Sequence, residues 1–536
     1  MQGYFIQFVF LILIILALVT LANRLRIAYP IVLVLGGLVL SFTSAFSNIT
    51  IQPDLVFFIF LPPLLYEAAW ITSWKAFWKW RRVIASFAFP IVIITSCVVA
   101  FASQAIIPGF TLALGFLLGG IVSPPDAVSA TTIMRSVKAP KSLVSILEGE
   151  SLLNDASSLI VFRFAIAAVI TGQFDIGAAA GTFLLVVCMG ILIGLLVGYA
   201  FYWILRLLPT TSSIEIVLTL VTPYCMYYAA EQFHFSGVLA VVSGGLLLSG
   251  KQQSMLNYRS RVEGVNVWTN IVFVLNGLVF LLIGLELPII TQGLGNITLG
   301  TAIGYGLGIS LVLIVSCMVC TFGAALFTRF ISRFITVADT SPGWKAPLIT
   351  GWAGMRGVVS LAAALSIPIS IAGEPFPYRN LILFITFIVI LVTLVLQGLT
   401  LPWLIRKLKV RDKFSTLSEK EQEVIIQKKI AQVSLGYLHE KHGSKNLQNY
   451  HLDNLVARLK IDLNFFQQDM KQLMGSNENS LSTYQKIYLD MLEHQRKLLM
   501  DMNKRTEFDE DVIRKYLALI DIEEYRIRER LMDKPM

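Results

Sequence analysis

At 536 residues, 56% hydrophobic and only 14% charged, with a mean hydropathy of +0.71, the chain is too apolar for a soluble globular protein and reads as a polytopic membrane protein. Its net charge of +9 falls largely on short loops between apolar runs and on a mixed-charge tail, so nothing in it asks for nucleic acid. The five cysteines all lie inside apolar runs, which argues against a disulfide framework; the CxxC spacing of Cys317 and Cys320 reads as helix packing.

Thirteen runs are long enough to cross about 30 Å of hydrocarbon: 4–22, 29–45, 55–71, 83–107, 110–134, 143–170, 177–207, 213–230, 235–249, 267–290, 301–327, 346–371 and 381–405. No basic n-region precedes the first run and no small-residue cleavage site follows it, so a retained helix is expected rather than a signal peptide. Basic residues fall in alternate loops. They are Arg24 and Arg26, then Lys75, Lys79, Arg81 and Arg82, then Arg135, Lys138 and Lys141, with Arg206, Lys251, Arg259, Arg261, Arg329, Arg333 and Lys345 continuing the series to Arg406, Lys407 and Lys409. By the positive-inside rule the N-terminus is expected outside and the C-terminus in the cytoplasm; Arg379 alone breaks the alternation.

The fifth run contains Ser123-Pro124-Pro125-Asp126-Ala127. Each proline removes a backbone donor, so the carbonyls of Gly120 and Ile121 lose their helical partners and the helix is expected to break. A break at membrane depth is tolerated where it lines a cavity or is buried in protein. Free carbonyls on one side and Asp126 near the start of the second half-helix would favour a cation. A simple proline kink is the plainer alternative.

The sixth run holds Glu148-Gly149-Glu150-Ser151-Leu152-Leu153-Asn154-Asp155, with Ser158 and Arg163 beyond. A charge at bilayer depth costs a few kcal/mol even on lenient scales, which makes an intramembrane carboxylate a functional-site hypothesis. Seven residues make two turns, so Glu148 and Asp155 share a face about 10 Å apart, with Ser151 and Ser158 flanking Asp155. Inter-helix salt bridges are the structural alternative for Asp155, Glu148, Glu150 and Arg163.

In the twelfth run, Gly351-Trp352-Ala353-Gly354-Met355-Arg356-Gly357 weakens a second helix, and Arg356 is a membrane-depth cation in need of acceptors. The fifth and twelfth runs lie an odd number apart and so run in opposite directions. Two antiparallel broken helices point to an inverted-repeat secondary transporter with a site at the midplane. Glu67, Asn276 and Glu286 carry less weight: an access-path ligand, or helix contact and interfacial placement. No GxxxxGK[ST], HExxH or GxSxG motif appears in a suitable context, so neither an enzyme nor a cofactor is expected.

After residue 408 the composition turns charged and helix-periodic, with apolar positions in 424–438 and 452–466, a break at 475–480, and further helices over 484–502 and 512–532. The expected organisation is a membrane domain, 1–408, and an all-helical cytoplasmic domain, 409–536. The tail's His439, His442, His451 and His494 read as surface or packing residues.

Five ordered segments carry a resemblance: Phe57-Phe58-Ile59-Phe60-Leu61-Pro62-Pro63, Asp126, Gly149-Glu150-Ser151-Leu152-Leu153-Asn154-Asp155, Ser236-Gly237-Val238-Leu239-Ala240, and Gly354-Met355-Arg356-Gly357. Over residues 1–408 the chain resembles the sodium/proton exchanger family of the monovalent cation:proton antiporters, most closely its bacterial branch. The resemblance implies an all-α protein of about 13 transmembrane helices with an inverted repeat and two crossed discontinuous helices, in a bacterial inner membrane. It implies a homodimer with fixed dimerisation segments and a moving core.

The resemblance further implies that Asp155 binds the transported cation and the proton in competition, with Asn154 shaping the site, Asp126 supporting it and Ser151 beside it. Glu150, Arg356, Arg163 and Glu148 are then supporting charges, and Pro124, Pro125, Gly354 and Gly357 make the breaks. With Asn154 rather than a second aspartate before Asp155, it implies one proton per cation and electroneutral exchange. Sodium is the expected cation, with lithium and potassium the other monovalent substrates; a cation channel would lack the inverted pair of broken helices. Two departures stand out. The prolines precede Asp126 where the family commonly has Asp-Pro. Cys320 falls where many relatives have an arginine, leaving Arg356 as the expected partner of Glu150, and Arg163 to pair elsewhere in the core.

Overall fold

A computed structural model describes residues 2–25, 27–43, 56–172, 176–208, 211–295, 297–333, 339, 343–371, 374–410, 419–442, 452–457, 459–460, 479–503 and 510–529. Each of the thirteen apolar runs meets a helix within them. α1 (Gln2–Leu25) and α2 (Tyr29–Ser41) precede α3 (Leu61–Ile71), entered through a π-helical turn, Val56–Phe60. Then come α4 (Trp74–Ile106), the half-helices α5 (Leu112–Val122) and α6 (Ala127–Ser136), α7 (Lys141–Thr171) and α8 (Ile176–Leu207). They are followed by α9 (Ser212–Gln232), α10 (Gly237–Met255), α11 (Tyr258–Gln292) and α12 (Leu299–Ile331). The second pair of half-helices, α13 (Lys345–Trp352) and α14 (Val358–Leu365), leads to α15 (Arg379–Leu408).

Local chemistry sets the ends. Pro30 and Pro62 occupy first-turn positions, where a missing N–H is not needed. Side-chain oxygens of Ser73, Thr111, Asp126, Ser236, Asn257 and Thr298 each accept from an otherwise unpaired first-turn N–H. A short hairpin, Ser370–Ile371 with Glu374–Pro375, follows α14.

Three sequence expectations need correction. Lys75, Lys79, Arg81 and Arg82 lie inside α4 rather than in a loop, because Ser73 caps the helix early and long basic side chains can stay helical while their charged heads reach water. The twelfth helix stops at Leu365, where Pro368 soon follows, not at Ile371. The expected break at 475–480 falls on residues outside the described set up to 478, and α17 (Asn479–Asn503) already includes Asn479 and Ser480.

The helices sort into two bundles. α1, α2, α3, α8, α9, α10 and α11 pack chiefly on one another, and α4, α5, α6, α7, α12, α13, α14 and α15 form the other, with comparatively few contacts across the seam. We call them the scaffold and the core bundle. The core bundle holds both broken helices, with α7 packed against α5 and α6.

By packing, the chain divides into Met1–Asp412 and Lys413–Met536. In the second unit, α16 (Glu419–His442), α17 and α18 (Glu510–Glu529) are amphipathic or charged helices. Arg496 of α17 pairs with Asp521 at 2.6 Å and Glu524 at 2.7 Å of α18, which holds its guanidinium even higher than usual. His439 and His494 are exposed and each bonds a carbonyl one turn back on its own helix, in keeping with surface residues.

Candidate functional site

The chain breaks after α5 where the prolines demand it. Pro124 and Pro125 cannot donate to the carbonyls of Gly120 and Ile121, and the carbonyl of Gly120 instead accepts from Ser158 Oγ on α7 at 2.6 Å. The Pro125 carbonyl accepts from Asn154 Nδ2 at 3.1 Å. Asp126 then caps α6, its Oδ1 accepting from the Val128 N–H at 3.0 Å and its Oδ2 from Ser129 Oγ at 3.3 Å.

The second break, residues 353–357, lies against the first. Arg356, fully buried, donates through Nε to the carbonyl of Val122 at 2.9 Å, through Nη2 to that of Ser123 at 3.1 Å, and through Nη1 to that of Gly354. In return the Asp126 N–H donates to the Met355 carbonyl at 2.6 Å. A Cβ at Gly357 would run into the Asp126 carboxylate, so only glycine permits this approach. Thr393 Oγ1, on α15, accepts the Arg356 N–H at 3.1 Å. Each break thus satisfies the other's orphaned backbone groups, and the two half-helix pairs cross at Asp126 and Arg356.

α7 lays its polar face on this crossing. Asn154 and Asp155 are both buried, and Asn154 Oδ1 has no hydrogen-bond partner among the described residues. Among those residues no ion pair reaches Asp155, and the like charge of Asp126 acts on it. Ser151 is partly buried one turn earlier. The chemistry on offer is a carboxylate without an ion-pair partner among the described residues, near a second carboxylate and a free amide oxygen, in a buried setting. Such a group is most cheaply neutralised by a proton or a monovalent cation.

Asp155, Asn154, Asp126, Pro124, Pro125, Gly354, Gly357 and Arg356 therefore come together. Glu148 does not join them: it pairs with Arg135 of α6 at 2.5 Å, the structural alternative. Glu150 is buried with Oε2 unpartnered among the described residues, and the expected Glu150–Arg356 ion pair does not form, because the guanidinium is committed to carbonyls the breaks left open. Arg163 pairs with Glu231 at 2.7 Å, not inside the core bundle but across the seam to α9. Arg379, the exception among basic residues, donates to the carbonyls of Ile367 and Leu365 at 2.9 and 3.3 Å, closing the chain end beyond α14.

Sequence reasoning missed Thr393. It is a hydroxyl inside an apolar run, and a lone Ser or Thr there usually bonds its own preceding turn, so position alone gives little signal. Asn276 and Glu286 are both buried.

A profile of the family described as "Sodium/hydrogen exchanger, transmembrane" matches residues 10–407. The chain is 35% identical over 417 residues to a "Sodium, potassium, lithium and rubidium/H(+) antiporter" of Bacillus pumilus, covering 74% of this chain and 61% of that protein, so it spans less than two thirds of that relative's length. It is 32% identical over 414 residues to a "Low-affinity Na(+)/H(+) antiporter NhaS1" of Synechocystis, covering 75% of this chain and 74% of that one. Among solved structures, the sodium proton antiporter MjNhaP1 of Methanocaldococcus jannaschii shares the fold, with a TM-score of 0.59 at 18% identity over 76% of this chain and all of that one.

Proposed function

The chain belongs to the sodium/hydrogen exchanger family, and we propose that it exchanges a monovalent cation, sodium foremost, for a proton across the cell membrane, with Asp155 as the shared binding carboxylate. The observation that carries the reading is the buried Asp155 carboxylate, without an ion pair among the described residues, against a crossing of two broken helices. A proton or a cation at Asp155 neutralises that carboxylate, which can then move past apolar surroundings; empty, it is a bare charge that cannot. That asymmetry couples the two fluxes.

Asp126 and Asn154 Oδ1 would supply further oxygens to the cation, with Ser151 beside them. Because Asn154 carries no charge, one proton balances one cation and turnover moves no net charge. The breaks give the site a rigid frame, while the thin seam between bundles suits movement of the core bundle against the scaffold. Within this reading the protein works as a homodimer, its N-terminus outside and its helical tail, 409–536, in the cytoplasm, and it serves sodium and pH homeostasis.

Potassium and lithium are the second reading for the cation, favoured by the substrates in the name of the Bacillus relative. A channel is disfavoured by the crossed, inverted helix pairs. The test is relief of a pH gradient in everted vesicles, read by a pH dye after adding sodium, potassium or lithium. Parent protein should respond and Asp155→Asn should not; equal rates in the two would remove Asp155 from the site. A membrane-potential dye in the same vesicles should stay silent during turnover.

A further inference from the structure

The two bundles touch sparsely, yet one ion pair spans them outside the crossing. Arg163 sits on α7 two turns beyond Asp155, about 12 Å along the helix. Its Nη2 lies 2.7 Å from both carboxylate oxygens of Glu231, at the end of α9 in the scaffold. Glu231 is held from its own side as well, since Oε1 also accepts the N–H of Gly237, the first residue of α10, at 3.2 Å. The carboxylate is therefore fixed to the scaffold whether or not Arg163 is there. The pair can separate without disturbing either partner's helix.

The two side chains line a cavity of about 190 Å³ in the seam, with Leu159, one turn from Asp155, and Ser366 on the core side and Tyr227 and Ser236 on the scaffold side. Movement of the core bundle against the scaffold would change the spacing between Arg163 and the anchored Glu231. A pair held at 2.7 Å does not survive a displacement of a few ångströms.

We propose that Arg163 and Glu231 form a lock that favours the present arrangement of the two bundles over the one reached when the core bundle moves. They are positioning residues: neither touches the cation at Asp155, and they act by weighting two arrangements of the bundles. The inference rests on the exchange reading above. Half-exposed ion pairs contribute modestly, so breaking this one should shift the population about threefold rather than abolish exchange.

The test uses full-length protein in right-side-out and everted vesicles, with exchange in the parent and its loss in Asp155→Asn established first. Arg163→Gln and Glu231→Gln should each shift the apparent sodium KM by about threefold, downward on one face of the membrane and upward on the other, because the binding-competent fraction changes reciprocally. Arg163→Glu and Glu231→Arg should do the same more strongly, and the double charge swap should return both KM values to within about twofold of the parent. Thermal melting in detergent should barely separate the two glutamine variants from the parent. Changes in KM of the same sign on both sides, no change on either, or a double swap no better than the worse single variant would overturn the lock. Absence of sodium-driven proton movement in the parent would instead count against the exchange reading.

Discussion

The guanidinium of Arg356, on one broken helix, donates to the carbonyl of Val122, on the other, at 2.9 Å, and so ties together two segments more than two hundred residues apart in the chain. Its remaining donors reach Ser123 and Gly354. Lysine has no planar fork and cannot serve three separated carbonyls. Arg356→Lys should lower exchange at least about tenfold, and Arg356→Ala should also lower the melting temperature, since each stranded carbonyl costs about 1–3 kcal/mol. Initial rates in vesicles and fluorescence-monitored melting in detergent measure the two effects. An active lysine variant would assign Arg356 a purely electrostatic part.

Gly357 faces the Asp126 carboxylate so closely that a methyl group there must displace it. Its φ of −148° lies outside the left-handed region, so the argument for glycine here rests on space. Gly357→Ala should cost about 1–3 kcal/mol by overpacking and depress exchange strongly while the protein still folds. Gly250→Ala, where nothing lies near the added carbon, serves as the control and should behave as the parent.

Competition at one carboxylate sets the direction of pH dependence. As pH falls, a larger fraction of Asp155 carries a proton, so the apparent sodium KM should rise, approaching about tenfold per pH unit below the site's titration, while the rate at saturating sodium holds. Initial rates over a grid of sodium concentration and pH distinguish this from a separate proton site, which would lower the maximal rate instead.

Asn154→Asp tests the charge count. The amide donates to the Pro125 carbonyl, a bond an ionised aspartate cannot make, so some stability should be lost. The protein that remains should carry charge on turnover and respond to an imposed membrane potential. A variant as indifferent to voltage as the parent would take Asn154 out of the stoichiometry.

Truncation after Val410 addresses the tail. Arg496 joins α17 to α18 through Asp521 and Glu524, a structured unit rather than a loose extension. Exchange should persist without it, with an altered rate or pH profile. Identical profiles and an identical oligomeric state would dismiss a regulatory or assembly part.

The apolar runs were legible without a structure because a bilayer demands long, nearly charge-free helices, and their period and length survive any tertiary arrangement. The break at Pro124 and Pro125 was legible for an equally local reason: proline has no N–H, so the carbonyls of Gly120 and Ile121 had to lose their partners wherever the helix went. Asp155 stood out by the cost of placing it there. What these local rules leave open is which groups take up the orphaned bonds. Only the tertiary structure decided that Ser158 serves Gly120, that Asn154 serves Pro125, and that Arg356 goes to Val122 and Ser123 rather than to Glu150. The same holds for Arg163 and Glu231, whose attraction acts through space between bundles and leaves no period or spacing in the chain.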